Sequence, residues 1–357
     1  MSGTWGRNIK FSIFGESHGK AVGITIDGLK PGIEVDLDYI KREMVRRAPG
    51  KSELSTQRQE EDSFEILSGL FKGKTTGTPL CAIIRNSGQH SKDYEKMKAI
   101  IRPSHADYTG SVKYRGFNDY RGGGHFSGRL TAPLVFAGAV CRQVLEKRGI
   151  IIGSHVRSIG RIEDRGFSLT DIDQDKLQSL RAETFPVLDS DAGEAMQKVI
   201  LDARADQDSV GGVIETAAIN LPAGIGDPFF DSLESTLAHL LFSVPGIKGL
   251  EFGAGFDITR LRGSEANDEY YVEDGRVGTY SNNNGGIIGG ITNGMPLLFR
   301  VAVKPTPSIG RTQRTINIEN MENEDIEISG RHDPCIVTRA VPVIEAVTAM
   351  ALLDNIE

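Results

Sequence analysis

A chain of 357 residues with a formal net charge of −7 can bury one sizeable core or two moderate ones, and it is too acidic for a broad nucleic-acid-binding face. No apolar run is long enough to span a bilayer, and the Met-Ser-Gly-Thr-Trp-Gly start lacks a signal peptide's apolar centre, so cytoplasm is the default expectation. Cys81, Cys141 and Cys335 are too scattered for a disulfide framework or a zinc site, and no metal is expected.

Along the chain, Val22-Gly-Ile-Thr-Ile26 reads as a strand that turns at Lys30-Pro31-Gly32. A helix follows from about Asp36, with Leu37, Ile40 and Met44 on one face. Leu130 to Arg148 reads as an apolar helix stopped by Gly149. A charged stretch from Arg161 to Asp208 reads as a solvated helical excursion; within it, Asp191 and Glu194 suggest a capping box for a helix carrying Met196, Val199, Ile200 and Ala203. Gly211 to Leu221 alternates like a strand, turns at Pro222-Ala-Gly-Ile225, and leads into a helix carrying Leu233, Leu237, Leu240 and Leu241. The last helix is expected to begin near Pro342. The strand–turn–helix unit thus occurs twice, near residues 22–47 and 211–242, which suggests an internally duplicated α/β core. Glycine is spread over the whole chain without a disordered linker, so one domain over residues 1–357 is expected.

Basic residues concentrate in loops punctuated by glycine or proline, which points to a small anionic ligand rather than a polyanion. In Arg121-Gly-Gly-Gly-His125-Phe-Ser127-Gly-Arg129, three bare glycines let the backbone approach a ligand, and guanidinium groups flank a helix start. The plain alternative is a tight surface turn with incidental charges. Phe14-Gly-Glu-Ser-His18-Gly19 offers an open imidazole that can exchange a proton near neutrality. Arg102-Pro-Ser-His105-Ala-Asp107 and Arg331-His-Asp333-Pro-Cys335 repeat the theme, the second with a local ion pair capping the final helix as its ordinary alternative. Ser281-Asn-Asn-Asn-Gly285-Gly-Ile-Ile-Gly289-Gly290 and Lys304-Pro-Thr-Pro-Ser308 suit a flat ring with a phosphate tail, or are simply a hairpin and a proline-rich connection. No G-x-S-x-G, Walker A, H-E-x-x-H or strand-placed G-x-G-x-x-G is present.

Gly-Glu-Ser-His-Gly (15–19), Arg-Pro-Ser-His-Ala-Asp-Tyr (102–108), Asp-Tyr-Arg-Gly-Gly-Gly (119–124) and Arg-His-Asp-Pro-Cys (331–335) together resemble the signatures of the chorismate synthase family, in the family's order. Arg47-Ala-Pro-Gly50, Thr56-Gln-Arg58, Ile247-Lys-Gly249 and the Asn-Gly-Gly and Lys-Pro-Thr loops extend the likeness from Gly15 to the C-terminus. The resemblance implies a β–α–β sandwich with helices between sheets, a homotetramer, and the final step of the shikimate pathway. In that step 5-enolpyruvylshikimate 3-phosphate loses phosphate and a C6 hydrogen by anti-1,4-elimination, with reduced FMN required although nothing is oxidised overall.

By resemblance, Arg47, Arg102, Ser127, Arg129 and Arg331 grip the substrate, whose two carboxylates and phosphate suit arginine's planar fork. His18 matches the histidine that protonates the leaving phosphate, His105 the one that protonates reduced flavin, and Asp333 the aspartate that works with flavin N5 on the C6 proton. Negative charge around both histidines is expected to raise their pKa. FMN contacts carry over to His125, Phe126, Ser127, Pro245, Gly246, Gly289, Lys304, Pro305, Thr306, Pro307, Ser308 and Arg331, while Arg47 is a further contact for NAD(P)H as reductant. The chain departs from the family pattern at His125-Phe126, where Arg-Ser is common, at Glu53, where a basic residue is common, and at Pro307, where serine is common. Two other readings remain: an anion- or flavin-binding protein without turnover, which would have no use for His18 and His105, and an FMN-linked reductase, which would have no use for so many arginines.

Overall fold

The computed structural model describes residues 3–50, 54, 62–86, 98–328 and 333–357, and they form two antiparallel five-stranded sheets with a helical layer between them. The first sheet comprises β1 (Thr4–Trp5), β2 (Lys10–Gly15), β3 (Ala21–Asp27), β4 (Phe64–Ser68) and β5 (Leu80–Arg85), ordered β1-β2-β3-β5-β4. The second comprises β6 (Ile151–Ile159), β7 (Ile162–Glu163), β8 (Gly212–Ile219), β9 (Ile247–Phe252) and β10 (Leu297–Val303), ordered β9-β10-β8-β6-β7. Alternation on β3 aims Val22, Ile24 and Ile26, all fully buried, at the helices.

Both strand–turn–helix units form: β3 leads to α1 (Leu37–Arg47), and β8 leads to a helix over Leu233–Ser243. Each repeated strand is the third of five in its sheet, as an internal duplication would place it. After α1, the chain adds α2 (Asp107–Lys113), α3 (Thr131–Lys147), α4 (Gln174–Leu180), α5 (Ser190–Ala205), α6 (Leu233–Ser243) and α7 (Val337–Ile356). α3 and α7 are the centre of the layer. α3 buries every residue from Thr131 to Leu145 and α7 every residue from Val341 to Asp354, as helices apolar all round should. They meet at Gly138, where a Cβ would stand 2.3 Å from the Cα of Ala346.

Charge is buried in this layer as well. The Glu345 carboxylate on α7 accepts from Arg46 of α1 at 2.6 Å and from Arg142 of α3 at 3.0 Å. Glu43 accepts from Arg46 at 2.7 Å and from Arg181 at 3.1 Å. Burial opposes ionisation of Glu43, but Arg142, Arg46 and Arg181 outweigh it and hold the carboxyl down at about 2. This network fixes the end of α1, and Arg47 is the next residue.

Three expectations need correction. α7 begins at Val337, not near Pro342, which lies inside the helix and removes one backbone donor from it. α5 is capped by Asp189, whose extended backbone lets its carboxylate accept from the Asp191 and Ala192 amides, so the cap lies upstream of the Asp191–Glu194 pair. The stretch from Arg161 to Asp208 is not merely solvated. It buries Phe167, Leu177 and Leu180 against Ile151, Ala217, Ile219 and Leu298 on the second sheet, and Met196 and Ile200 in the main core.

Candidate active site

β2 ends at Gly15, and the turn carrying His18 is built against the glycine loop. The Ser17 amide donates to the Gly124 carbonyl at 3.1 Å, and the Ser17 hydroxyl lies 3.2 Å from the Arg121 carbonyl and 3.1 Å from that of Gly122. His125 Nδ1 donates to the Gly15 carbonyl at 2.8 Å, closing the pairing from the other side. Gly122, Gly123 and Gly124 all have positive φ, and a Cβ on Gly122 would lie 2.1 Å from His18 Cε1. Glycine is therefore required there both by backbone conformation and by the imidazole that packs on it. Arg121 is held in place: it grips Asp119 through Nε at 2.8 Å and Nη2 at 2.7 Å, and that bond first of all keeps the Asp119 carboxyl below its ordinary range.

Past the glycines, Ser127 caps the short helical turn Gly128–Leu130 by accepting from the Arg129 amide. The Arg129 side chain turns inward and donates through Nε to the Asn86 side-chain oxygen at 3.0 Å. Its Nη1 meets Asp62 Oδ1, while Arg47 Nη1 donates to Asp62 Oδ2 at 2.8 Å. The buried Asp62 carboxylate thus joins two arginines, both at least nine-tenths buried, from α1 and from the start of α3. Asp333 pairs with Arg339 Nη1, and Arg339 Nε donates to the Arg47 carbonyl at 3.2 Å.

The loop at 102–108 and the run at 304–308 meet directly. His105 Nδ1 lies 3.0 Å from the Pro103 carbonyl, which can only accept, so this nitrogen carries the proton. Its Nε2 lies 2.9 Å from the Ser308 hydroxyl, and Lys304 Nζ donates to the Ser104 carbonyl at 2.8 Å. Arg102 holds Asp107 in a two-pronged bond with both contacts at 2.8 Å. Here an expectation is overturned: burial, with the Arg102 cation second, pushes His105 down to about 4 rather than up. Burial likewise lowers Lys304, helped by Lys248.

Contacts tie the two groups of loops together. Gly110 of α2 lies under Phe126, whose ring is 6.1 Å from that of Tyr114, so Phe126 packs inside the protein on one side and is 40% exposed on the other. Thr306 accepts from the Ser209 hydroxyl, and the neighbouring Val210 amide donates to the Pro334 carbonyl, beside Asp333. The Lys304 amide donates to the Gly246 carbonyl, and Ile336 lies against Gly246, with the exposed Pro245 next to it.

Gly289 does not join this group within the chain. It turns a hairpin whose neighbouring Gly290 carbonyl accepts from the Leu233 amide, at the start of α6, whereas Gly246 follows the end of that helix. Eleven residues of helix, roughly 16 Å at 1.5 Å per residue, separate them. The asparagine loop is also committed elsewhere: Asp268 accepts from the Asn283 and Asn284 amides and the Asn284 side chain, and buried Asn282 binds the Leu169 and Pro296 carbonyls. Arg331, Glu53 and the Thr56-Gln-Arg58 segment lie outside the described residues.

Asp62, Asn86 and Arg339 escaped the sequence reading. No motif spacing marks them, and only the fold brings them beside Arg47, Arg129 and Asp333.

A family model described as chorismate synthase matches residues 9–356. A chorismate synthase of Thermococcus kodakarensis is 46% identical over 98% of this chain and 96% of the relative. One of Methanobrevibacter smithii is 45% identical over 99% and 96%. A solved structure of a chorismate synthase superposes with a TM-score of 0.76 at 31% identity, covering 98% of this chain and 92% of that one.

Proposed function

The chain belongs to the chorismate synthase family, and from that premise we propose that the loops joined around His18, His105 and Arg129 form its catalytic site, serving one functional unit over residues 1–357. It is a lyase of the shikimate pathway, converting 5-enolpyruvylshikimate 3-phosphate to chorismate and phosphate. One observation carries the site reading: turns from four distant parts of the sequence come together, those near residues 18 and 124 hydrogen-bonded to each other, those near 105 and 306 likewise, with Phe126 packed on Gly110 between the two pairs.

Arg47, Arg102, Ser127, Arg129 and Arg331 bind the substrate's phosphate and carboxylates. Asp107 orients Arg102 and Asp62 orients the Arg47–Arg129 pair, so ligand oxygens meet forks already held in direction. His18 gives its proton to the departing phosphate. Asp333, aligned by Arg339, takes part in removing the C6 proton. His105 is neutral in the free protein at pH 7, and a phosphate-bearing ligand beside it would supply the negative charge that lets it hold a proton.

A reduced FMN fits the run at 304–308. The Thr306 hydroxyl is buried yet has no hydrogen-bond partner among the described residues, beside the Lys304 cation. Lys304, Pro305, Thr306, Pro307 and Ser308 would hold it together with Gly246, Pro245, His125, Phe126 and Ser127. When bound, it would supply an electron-rich ring to the elimination. Arg47 would serve NAD(P)H where that is the reductant.

The assembly we propose is a homotetramer, and association would cover Phe229, Phe230, Phe256 and Met321, each at least 80% exposed. No helix among the described residues is long and apolar enough to cross a membrane, and we place the reaction in the cytoplasm.

Anaerobic incubation with reduced FMN and 5-enolpyruvylshikimate 3-phosphate should release phosphate and raise chorismate absorbance. His18→Ala and His105→Ala should each slow turnover roughly ten- to ten-thousand-fold. A folded protein without turnover, or wild-type rates in both variants, would overturn the reading.

A further inference from the structure

We propose that Asn86 is a positioning residue whose side-chain amide ties the His18 turn to the Arg129 guanidinium, so that proton donor and substrate grip are set together. It rests on the roles proposed above for His18 and Arg129. Asn86 is the first residue after β5, and its amide extends the β3–β5 pairing by donating to the Lys20 carbonyl at 3.2 Å. From that fixed base, Nδ2 spends its two hydrogens on the Glu16 and Gly19 carbonyls, each at 2.9 Å. These are the two ends of the turn that carries His18, a turn also closed by the Gly19 amide bonding to the Glu16 carbonyl at 3.0 Å. The side-chain oxygen accepts from Arg129 Nε at 3.0 Å.

Only one orientation of the amide works. Turned over, its oxygen would face two carbonyl oxygens and its NH2 would face a guanidinium. The same reasoning excludes aspartate, which keeps the acceptor for Arg129 but cannot donate to the turn, and alanine, which does neither. A shift of Arg129 on its ligand is therefore passed through one planar group to the backbone on either side of His18.

The test uses the full chain with Asn86→Asp and Asn86→Ala, each made with and without His18→Ala. Both single variants should lower kcat for anaerobic phosphate release about 10- to 100-fold, the scale of an ångström's misplacement, with circular dichroism unchanged. In the His18→Ala background Asn86→Asp should cost less than threefold, because the donations it loses act through His18, while Asn86→Ala should keep the part of its cost that comes from freeing Arg129. Hydrogen exchange of residues 15–20, read by mass spectrometry, should quicken at least tenfold in both variants, with or without turnover.

Wild-type kcat or exchange in Asn86→Asp would overturn the proposal, since that variant removes both donations to the turn while keeping an acceptor for Arg129. So would an Asn86→Asp penalty that multiplies with that of His18→Ala, the result a merely structural role would give. A wild-type chain that does not turn over would overturn the function itself and Asn86's part in it, whereas an active wild type matched by its Asn86 variants would overturn Asn86 alone.

Discussion

His105 is seated as a neutral imidazole, with Nδ1–H directed at the Pro103 carbonyl and Nε2 beside the Ser308 hydroxyl, and this makes stability depend on pH in a defined direction. The ordinary value of 6.5 falls to about 4 on folding, through burial first and the Arg102 cation second. The folded state therefore binds this proton less readily than the unfolded chain. The contribution is complete above about pH 6.5 and is lost as pH falls toward and through 4. The gap between the two values sets a ceiling of roughly 3 kcal/mol, of which roughly 2 kcal/mol has gone by pH 5. Urea unfolding at fixed protein concentration should show the wild type losing roughly 2 kcal/mol more than His105→Asn between pH 7 and pH 5. The His105 ring proton followed by NMR should titrate well below 6, and inorganic phosphate should move it upward. Titration at or above 6.5 without added anion, or parallel pH profiles for wild type and variant, would refute the reasoning.

Gly122→Ala should displace the His18 ring and lower kcat about 10- to 100-fold while phosphate still binds; an unchanged kcat would show that the contact is unimportant. Thr306→Val removes a buried hydroxyl without a partner among the described residues, so stability should hold or rise by up to about 1 kcal/mol while FMN affinity falls in a fluorescence titration. Loss of stability with unaltered FMN binding would contradict that assignment. Gly138→Ala should destabilise the protein by about 1–2 kcal/mol in denaturant unfolding, because forcing α3 away from α7 outweighs alanine's better helix propensity; a more stable variant would mean that the layer yields easily.

The loops that glycine and proline mark were legible because their chemistry is local. Three glycines before Arg129 need no tertiary information to be read as a bare backbone beside a cation, and the two strand–turn–helix units follow from apolar spacing alone. What spacing could not reveal is where a polar group spends its hydrogen bonds. The asparagines at 282–284 looked ready for a ligand, yet Asp268 and the backbone carbonyls of Leu169, Pro296, Glu265 and Ala266 consume them. His105 looked set to be raised by anions, yet the protein buries it beside Arg102. Asp62 and Asn86 look ordinary in sequence and gain meaning only when β5, α1 and α3 converge. The apolar residues between 167 and 200 were diluted among acids, and the sheet face they cover was not visible.

Arg46 and Arg47 are consecutive residues facing different tasks: one is locked to Glu345 in the interior, the other to Asp62 at the site. Arg339, a turn into α7, bonds both to Asp333 and to the Arg47 carbonyl. Mechanically, the end of α1 and the start of α7 are riveted into a single stiff bracket. Any displacement of the Asp333 carboxylate must drag the α1 terminus along or break its pair with Arg339 or the Arg339 bond to the Arg47 carbonyl, so retuning this acid means retuning the bracket as well.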